Sequence, residues 1–133
     1  MSSSTSAPAS SETVDVQATI TSEAGRQLVA RFFRALGDPT RLDLLTFLLE
    51  HGESTATECV YRSGLSQGRV SAHLACLVSC GLAQVRREGR FSFYRIEDPR
   101  VAALVEMGVG LTADHAASVA ACLVVARPSD GSS

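Results

Sequence analysis

No run of apolar residues in this chain approaches the roughly 18 needed to cross a bilayer, which excludes a membrane-spanning helix. The N-terminus also lacks the basic start and hydrophobic core of a secretion signal, so the expectation is a cytoplasmic protein with no membrane partner. Cysteine is sparse, four residues in all. In a reducing compartment four thiols point to packing residues, metal ligands or redox sensors rather than to a disulfide framework. Lysine is absent, all twelve basic residues being arginine. There is no phosphate-binding glycine loop, no paired-carboxylate motif and no nucleophile elbow, so the chain is not expected to be an enzyme. An overall basic excess is missing too, the formal net charge being −2. Duplex binding rests on neutralising phosphates, so the distribution of charge matters more than its sum. Between Arg62 and Arg95, six arginines (Arg62, Arg69, Arg86, Arg87, Arg90, Arg95) stand against one acid, Glu88, a local balance of +5.

What is present is enough apolar content, 45 %, to bury the core of one domain. Residues 1–22 are rich in Ser, Thr and Ala and cannot bury enough surface to offset the entropy of ordering them, which predicts a disordered tail. Residues 23–126 are expected to fold as one DNA-binding and dimerisation domain, with 127–133 as a short C-terminal tail. From Glu23 to Ala35 a wide apolar face (Leu28, Val29, Phe32, Phe33, Leu36) predicts a helix packed on more than one partner. Asp38-Pro39 is a cap followed by a first-turn proline, and the helix it starts runs to about His51 with Leu42, Leu45, Leu48 and Leu49 turned inward. Thr55 and Glu58 have capping-box spacing for a short helix to about Arg62.

The stretch Ser66 to Gly81 carries the chemistry. Ser66 can cap a helix, Gly81 can end it, and at about 100° per residue Val70, Leu74 and Leu77 share one stripe while Arg69, His73, Cys76 and Cys80 share the next. Its N-terminal end is small, polar and basic, as a helix tip entering a major groove must be. Two helices joined through Gly64-Leu65-Ser66 make a helix-turn-helix. Segments Leu82–Arg87 and Phe91–Ile96 flank Glu88-Gly89-Arg90 as a hairpin whose arginines would meet phosphate. The fold class expected is therefore mainly α with a small β-hairpin, a winged helix-turn-helix. Asp98-Pro99 starts another helix, weakened at Gly108 and Gly110, and a further apolar piece runs from Thr112 to about Ala126. The N- and C-terminal helices are expected to form a homodimer interface. Candidate contacts to double-stranded DNA are Ser66, Gln67, Arg69, Ser71 and His73 on the helix and Arg86, Arg87 and Arg90 on the wing.

Cys76 and Cys80, one turn apart, have Cβ atoms about 5–6 Å from each other, which rotamer choice can close onto one ion. Thiolates favour soft ions, leaving Cd²⁺, Pb²⁺, Hg²⁺ and As(III) open and calling for no organic cofactor. The competing reading makes the same cysteines small core hydrophobes.

Several short stretches, in order and with matching gaps, resemble the ArsR/SmtB repressors over about Glu23 to Leu111. They are Ala35-Leu36-Gly37-Asp38-Pro39-Thr40-Arg41, Gly64-Leu65-Ser66-Gln67, Val70-Ser71-Ala72-His73-Leu74, Gly81-Leu82, and Arg86-Arg87-Glu88-Gly89-Arg90 to Tyr94-Arg95. The resemblance implies a homodimeric repressor that binds a palindromic operator without metal and releases it when metal binds. The family's arsenic-type site needs clustered cysteines in the helix before the recognition helix, where this chain has only Cys59, at a position usually filled by a core leucine. The zinc-type site needs a His-x-x-Glu pair that Asp114 and His115 lack. Cys76 and Cys80 match the Cys-x-x-x-Cys of the cadmium- and lead-sensing branch, which adds a third cysteine from the C-terminal region. Cys122 is placed much as that one is. Metal ligands expected on this basis are Cys76, Cys80 and Cys122, with Cys59 and His115 as lesser candidates. The alternative on the same fold is a thiol redox sensor in which two of these cysteines form a disulfide.

Overall fold

The computed structural model describes residues 14–122. Helix α1 (Val16–Thr21) begins at Asp15, whose carboxylate accepts from the Ala18 N–H. Ser22 both ends α1 and caps α2 (Glu23–Leu36) by accepting from the Gly25 N–H. A Cβ at Gly25 would collide with the Thr19 carbonyl, so only glycine permits this tight succession of helices. Residues 16–21 thus form helix inside the stretch where sequence predicted a tail, because Asp15 and the Thr19 and Thr21 hydroxyls satisfy local backbone groups. The rest of that tail, residues 1–13, and the whole C-terminal tail lie outside the described residues.

Helix α3 (Pro39–His51) follows, with the Asp38 carboxylate accepting from the Arg41 N–H at 2.9 Å and proline in the first turn. The short strand β1 (Ser54–Thr55) leads into α4 (Ala56–Ser63), where both bonds of the Thr55–Glu58 capping box are made, at 2.7 and 3.1 Å. Gly64, at φ 73°, closes α4 in the left-handed region and turns the chain into α5 (Gln67–Ser79), capped by Ser66. Strands β2 (Gln84–Glu88) and β3 (Phe91–Arg95) pair antiparallel around a two-residue turn with Gly89 at φ 62°. β1 pairs with the other edge of β3, Ser54 opposite Tyr94, giving the sheet order β1-β3-β2 and tying the wing to the helices.

Helix α6 (Pro99–Asp114) runs unbroken through Gly108 and Gly110, later than expected, the Thr112 hydroxyl bonding back to the Gly108 carbonyl. His115 interrupts it, and residues 116–122 are helical again. No helix among the described residues is long and apolar enough to cross a membrane.

Leu44, Leu45 and Leu48 of α3, Cys59 of α4, Val70, Leu74 and Leu77 of α5, and Leu82 after it form the centre. Here one expectation is corrected: Leu42 is 38 % exposed and Leu44 is fully enclosed. α3 lies against both α4 and α5, so its buried face is rotated from the one that spacing alone suggested. Outside this centre, Leu28 and Phe33 of α2 and Met107, Val109 and Leu111 of α6 are exposed, an apolar surface on the helices at either end of the described chain.

Candidate nucleic-acid interface and thiol site

Burying Val70, Leu74 and Leu77 turns the opposite side of α5 outward. Gln67, Gly68, Arg69, Ser71 and Ala72 are all exposed there, and no atom crowds Gly68 within 4 Å. The tip is thus free of bulk and offers the Arg69 guanidinium, an amide and a hydroxyl, the donors and acceptors that base edges and phosphates match. The Ser66 hydroxyl accepts from the Arg69 N–H as the helix cap. His73 faces elsewhere. Its side chain is only 17 % exposed, and its Nδ1 lies 3.2 Å from an Arg41 guanidinium nitrogen and 3.9 Å from the Asp38 carboxylate. Arginine only donates, so in this contact Nδ1 is the acceptor.

The wing divides its arginines. Arg86 is clamped: it donates to both Glu53 oxygens at 2.9 Å and to Glu88 at 3.0 Å, and lies over the Phe93 ring at 4.4 Å. The clamp holds the Glu53 carboxyl below its ordinary range, chiefly through the hydrogen bond from Arg86. Arg87 donates to the Ser92 hydroxyl, and Arg95 pairs with Glu97. The Arg69 and Arg90 side chains are exposed and hold no ion pair among the described residues. The cationic surface is therefore narrower than the local count of arginines implied. Glu53 and Glu97, just outside that window, neutralise part of it.

At the other end of α5 lie Cys76 and Cys80, both half-buried. Cys80 is the C-cap, its N–H donating to the Cys76 carbonyl at 3.1 Å. Burial pushes the Cys80 thiol up, and the neighbouring Cys76 thiol adds to the rise, while Arg41 and Arg31 pull the other way. A cleft of about 550 Å³ opens beside Cys80 between α2 and α6, lined by Phe32, Leu82, Val101, Leu104 and Met107 among others. Cys59 is fully enclosed and pushed up to about 11 by burial, then by Glu58, as an inert packing thiol would be. Cys122 and His115 are exposed on the last helical segment and at the end of α6. Among the described residues, no three His, Cys, Asp or Glu side chains converge as a metal cage would require. Two neighbouring thiols suit a soft ion, and among the described residues no third ligand lies beside them.

Sequence missed Arg41, Asp38 and Glu53 as parts of these sites. Arg41 meets His73 across 32 residues and Arg86 meets Glu53 across 33, separations that no local pattern encodes.

The model of the bacterial regulatory protein, arsR family, matches residues 38–85. A probable mercury resistance operon repressor of Streptomyces lividans is 56 % identical over 93 residues, 70 % of this chain and 74 % of that protein. This chain belongs to the ArsR family. The HTH-type transcriptional regulator CmtR of Mycobacterium bovis is 39 % identical over 83 residues, 62 % of this chain and 70 % of CmtR. Among solved structures, the homodimeric winged helix-turn-helix DNA-binding domain of a Mycobacterium bovis regulator is similar at a TM-score of 0.62 and 34 % identity, covering 69 % of this chain and 84 % of that one. Membership makes this a DNA-binding regulator of the winged helix-turn-helix type, and the three-stranded sheet with α4 and α5 is that architecture in this chain.

Proposed function

We propose that this ArsR-family protein is a transcriptional repressor that holds operator DNA as an apo homodimer and releases it on binding a thiophilic ion, with Hg²⁺ foremost and Cd²⁺, Pb²⁺ and As(III) as chemical relatives. The observation that carries the reading is the placement of two adjacent, half-buried thiols at one end of the helix whose other end faces outward with the DNA-reading residues. The mercury-resistance relative supports the choice of ion. Gln67, Arg69 and Ser71 read the groove, with Arg87 and Arg90 on flanking phosphate. Ser66 caps the helix, His73 ties it to Arg41 of α3, and Arg86 holds the wing.

Cys76 and Cys80 supply two thiolates, and Cys122 of a second copy supplies the third. The exposed apolar residues of α2 and α6 form the dimer contact that brings that segment across. Ligation then ties the C-terminal end of α5 to the partner and changes the relation between the two reading helices, which must sit one helical turn of DNA apart. Couplings of this kind are typically about 1–3 kcal/mol, or about 5–150-fold in affinity. Operator binding titrated with and without each ion tests the reading, and unchanged affinity across all four rejects it. The adjacency of Cys76 and Cys80 also allows a disulfide switch. Release by mild peroxide with the loss of two hydrogen atoms' mass, and none by metal, would favour that mechanism instead.

A further inference from the structure

One side chain touches three parts of this molecule at once. Arg41 Nε donates to the Ala35 carbonyl at 2.7 Å, and one terminal nitrogen reaches the Arg34 carbonyl at 3.4 Å, so the guanidinium closes the C-terminal end of α2. Its other terminal nitrogen donates to His73 Nδ1 at 3.2 Å, on the same stripe of α5 as the thiols and one turn before Cys76. The same guanidinium lies within electrostatic reach of Cys80. Asp38 positions the residue from behind by accepting from its backbone N–H at 2.9 Å.

We propose that Arg41 is the positioning residue that couples the thiol pair to the angle between the outer helix α2 and the reading helix α5. This rests on the ion-release reading above. Three thiols binding a divalent ion release three protons to water and leave a complex of charge −1 where neutral groups stood. A guanidinium within electrostatic reach of that new anion is drawn toward it and away from the Ala35 and Arg34 carbonyls and from His73. The brace between α2 and α5 loosens as the ion arrives. Lysine would keep the charge but lacks the planar fork that holds two carbonyls and a ring nitrogen together.

The full-length homodimer tests this with HgCl₂ under a competing small thiol, reading operator affinity by fluorescence anisotropy and ion uptake by sulfur-to-mercury charge-transfer absorption. The quantity that matters is the ratio of operator affinities without and with ion, taken within each variant. Arg41→Gln, Arg41→Lys and His73→Phe should all take up the ion at wild-type stoichiometry, yet shrink that ratio at least fivefold. The Arg41→Gln/His73→Phe double variant should shrink it no further than either single change. Should Arg41→Gln fail to fold, Arg41→Lys and His73→Phe decide alone. A ratio equal to wild type in ion-loaded Arg41→Lys and His73→Phe overturns the proposal, as do additive effects in the double variant. A wild-type ratio of one under full ion uptake overturns the functional reading, and this coupling with it.

Discussion

Cys59 and Cys80 are the same residue in two surroundings. Cys59 lies fully enclosed in α4 among the leucines of the centre, its thiol pushed up to about 11 by burial. Cys80 lies half-buried at the end of α5 with a second sulfur beside it, two arginines in electrostatic reach and a cleft alongside. Enclosure removes both the route and the thiolate that a reaction needs. Burial raises both thiols, but the open end of a helix leaves a route to Cys80, so in this chain it is place, more than residue type, that divides packing from chemistry.

The sharpest way to break this contrast is alkylation of the native protein. With a pKa of about 11, Cys59 is thiolate in only about one molecule in a thousand at pH 8. Iodoacetamide at that pH should label exposed Cys122 at least about 100-fold faster than Cys59, read by peptide mass spectrometry. Comparable rates would mean that the centre opens on the labelling timescale. Next in size, Cys80→Ser should abolish the ion response, a loss of about 5–150-fold in the affinity ratio, while apo operator binding persists. A response surviving in Cys80→Ser would move the ion away from α5. Cys59→Ser should do the reverse, costing about 1–3 kcal/mol in urea unfolding by burying an unpaired hydroxyl and leaving the response intact. Smallest is Glu53→Gln, which removes the Arg86 clamp. Glu53 titrates below its ordinary value when folded, so its contribution is present at neutral pH and lost as pH falls through the folded value, beneath about 4.5. The variant should flatten that acid dependence of wing protection in hydrogen exchange; a wild-type acid profile would show that the clamp anchors nothing.

Much of the architecture was legible because it is written in short-range chemistry. Asp38, Thr55 with Glu58, Ser66 and Asp98 each cap the helix expected of them, and Gly89 makes the hairpin turn. Apart from helix α1, whose Asp15 cap is equally local, the failures share the opposite property. Strand β1 is two residues long and exists only because β3 lies beside it. Leu44 replaced Leu42 inside because neighbouring helices, not spacing, choose the buried face. At the candidate site the thiol pair and the outward tip of α5 follow from helical periodicity. The partners of Arg86 and His73 come from more than thirty residues away, so the narrowing of the cationic surface and the brace at Arg41 were invisible until the chain was folded.

Helix α5 is 13 residues, about 20 Å, long, and its outward tip lies within that length of both thiols. A rod that short and stiff has no slack to separate its two ends. Substitutions selected to suit a different ion would also disturb which base pairs the protein prefers, so laboratory evolution of a new ion specificity should return compensating changes at Gln67, Arg69 or Ser71. On the proposed reading, two properties that an engineer would like to tune independently are inherited together in this chain.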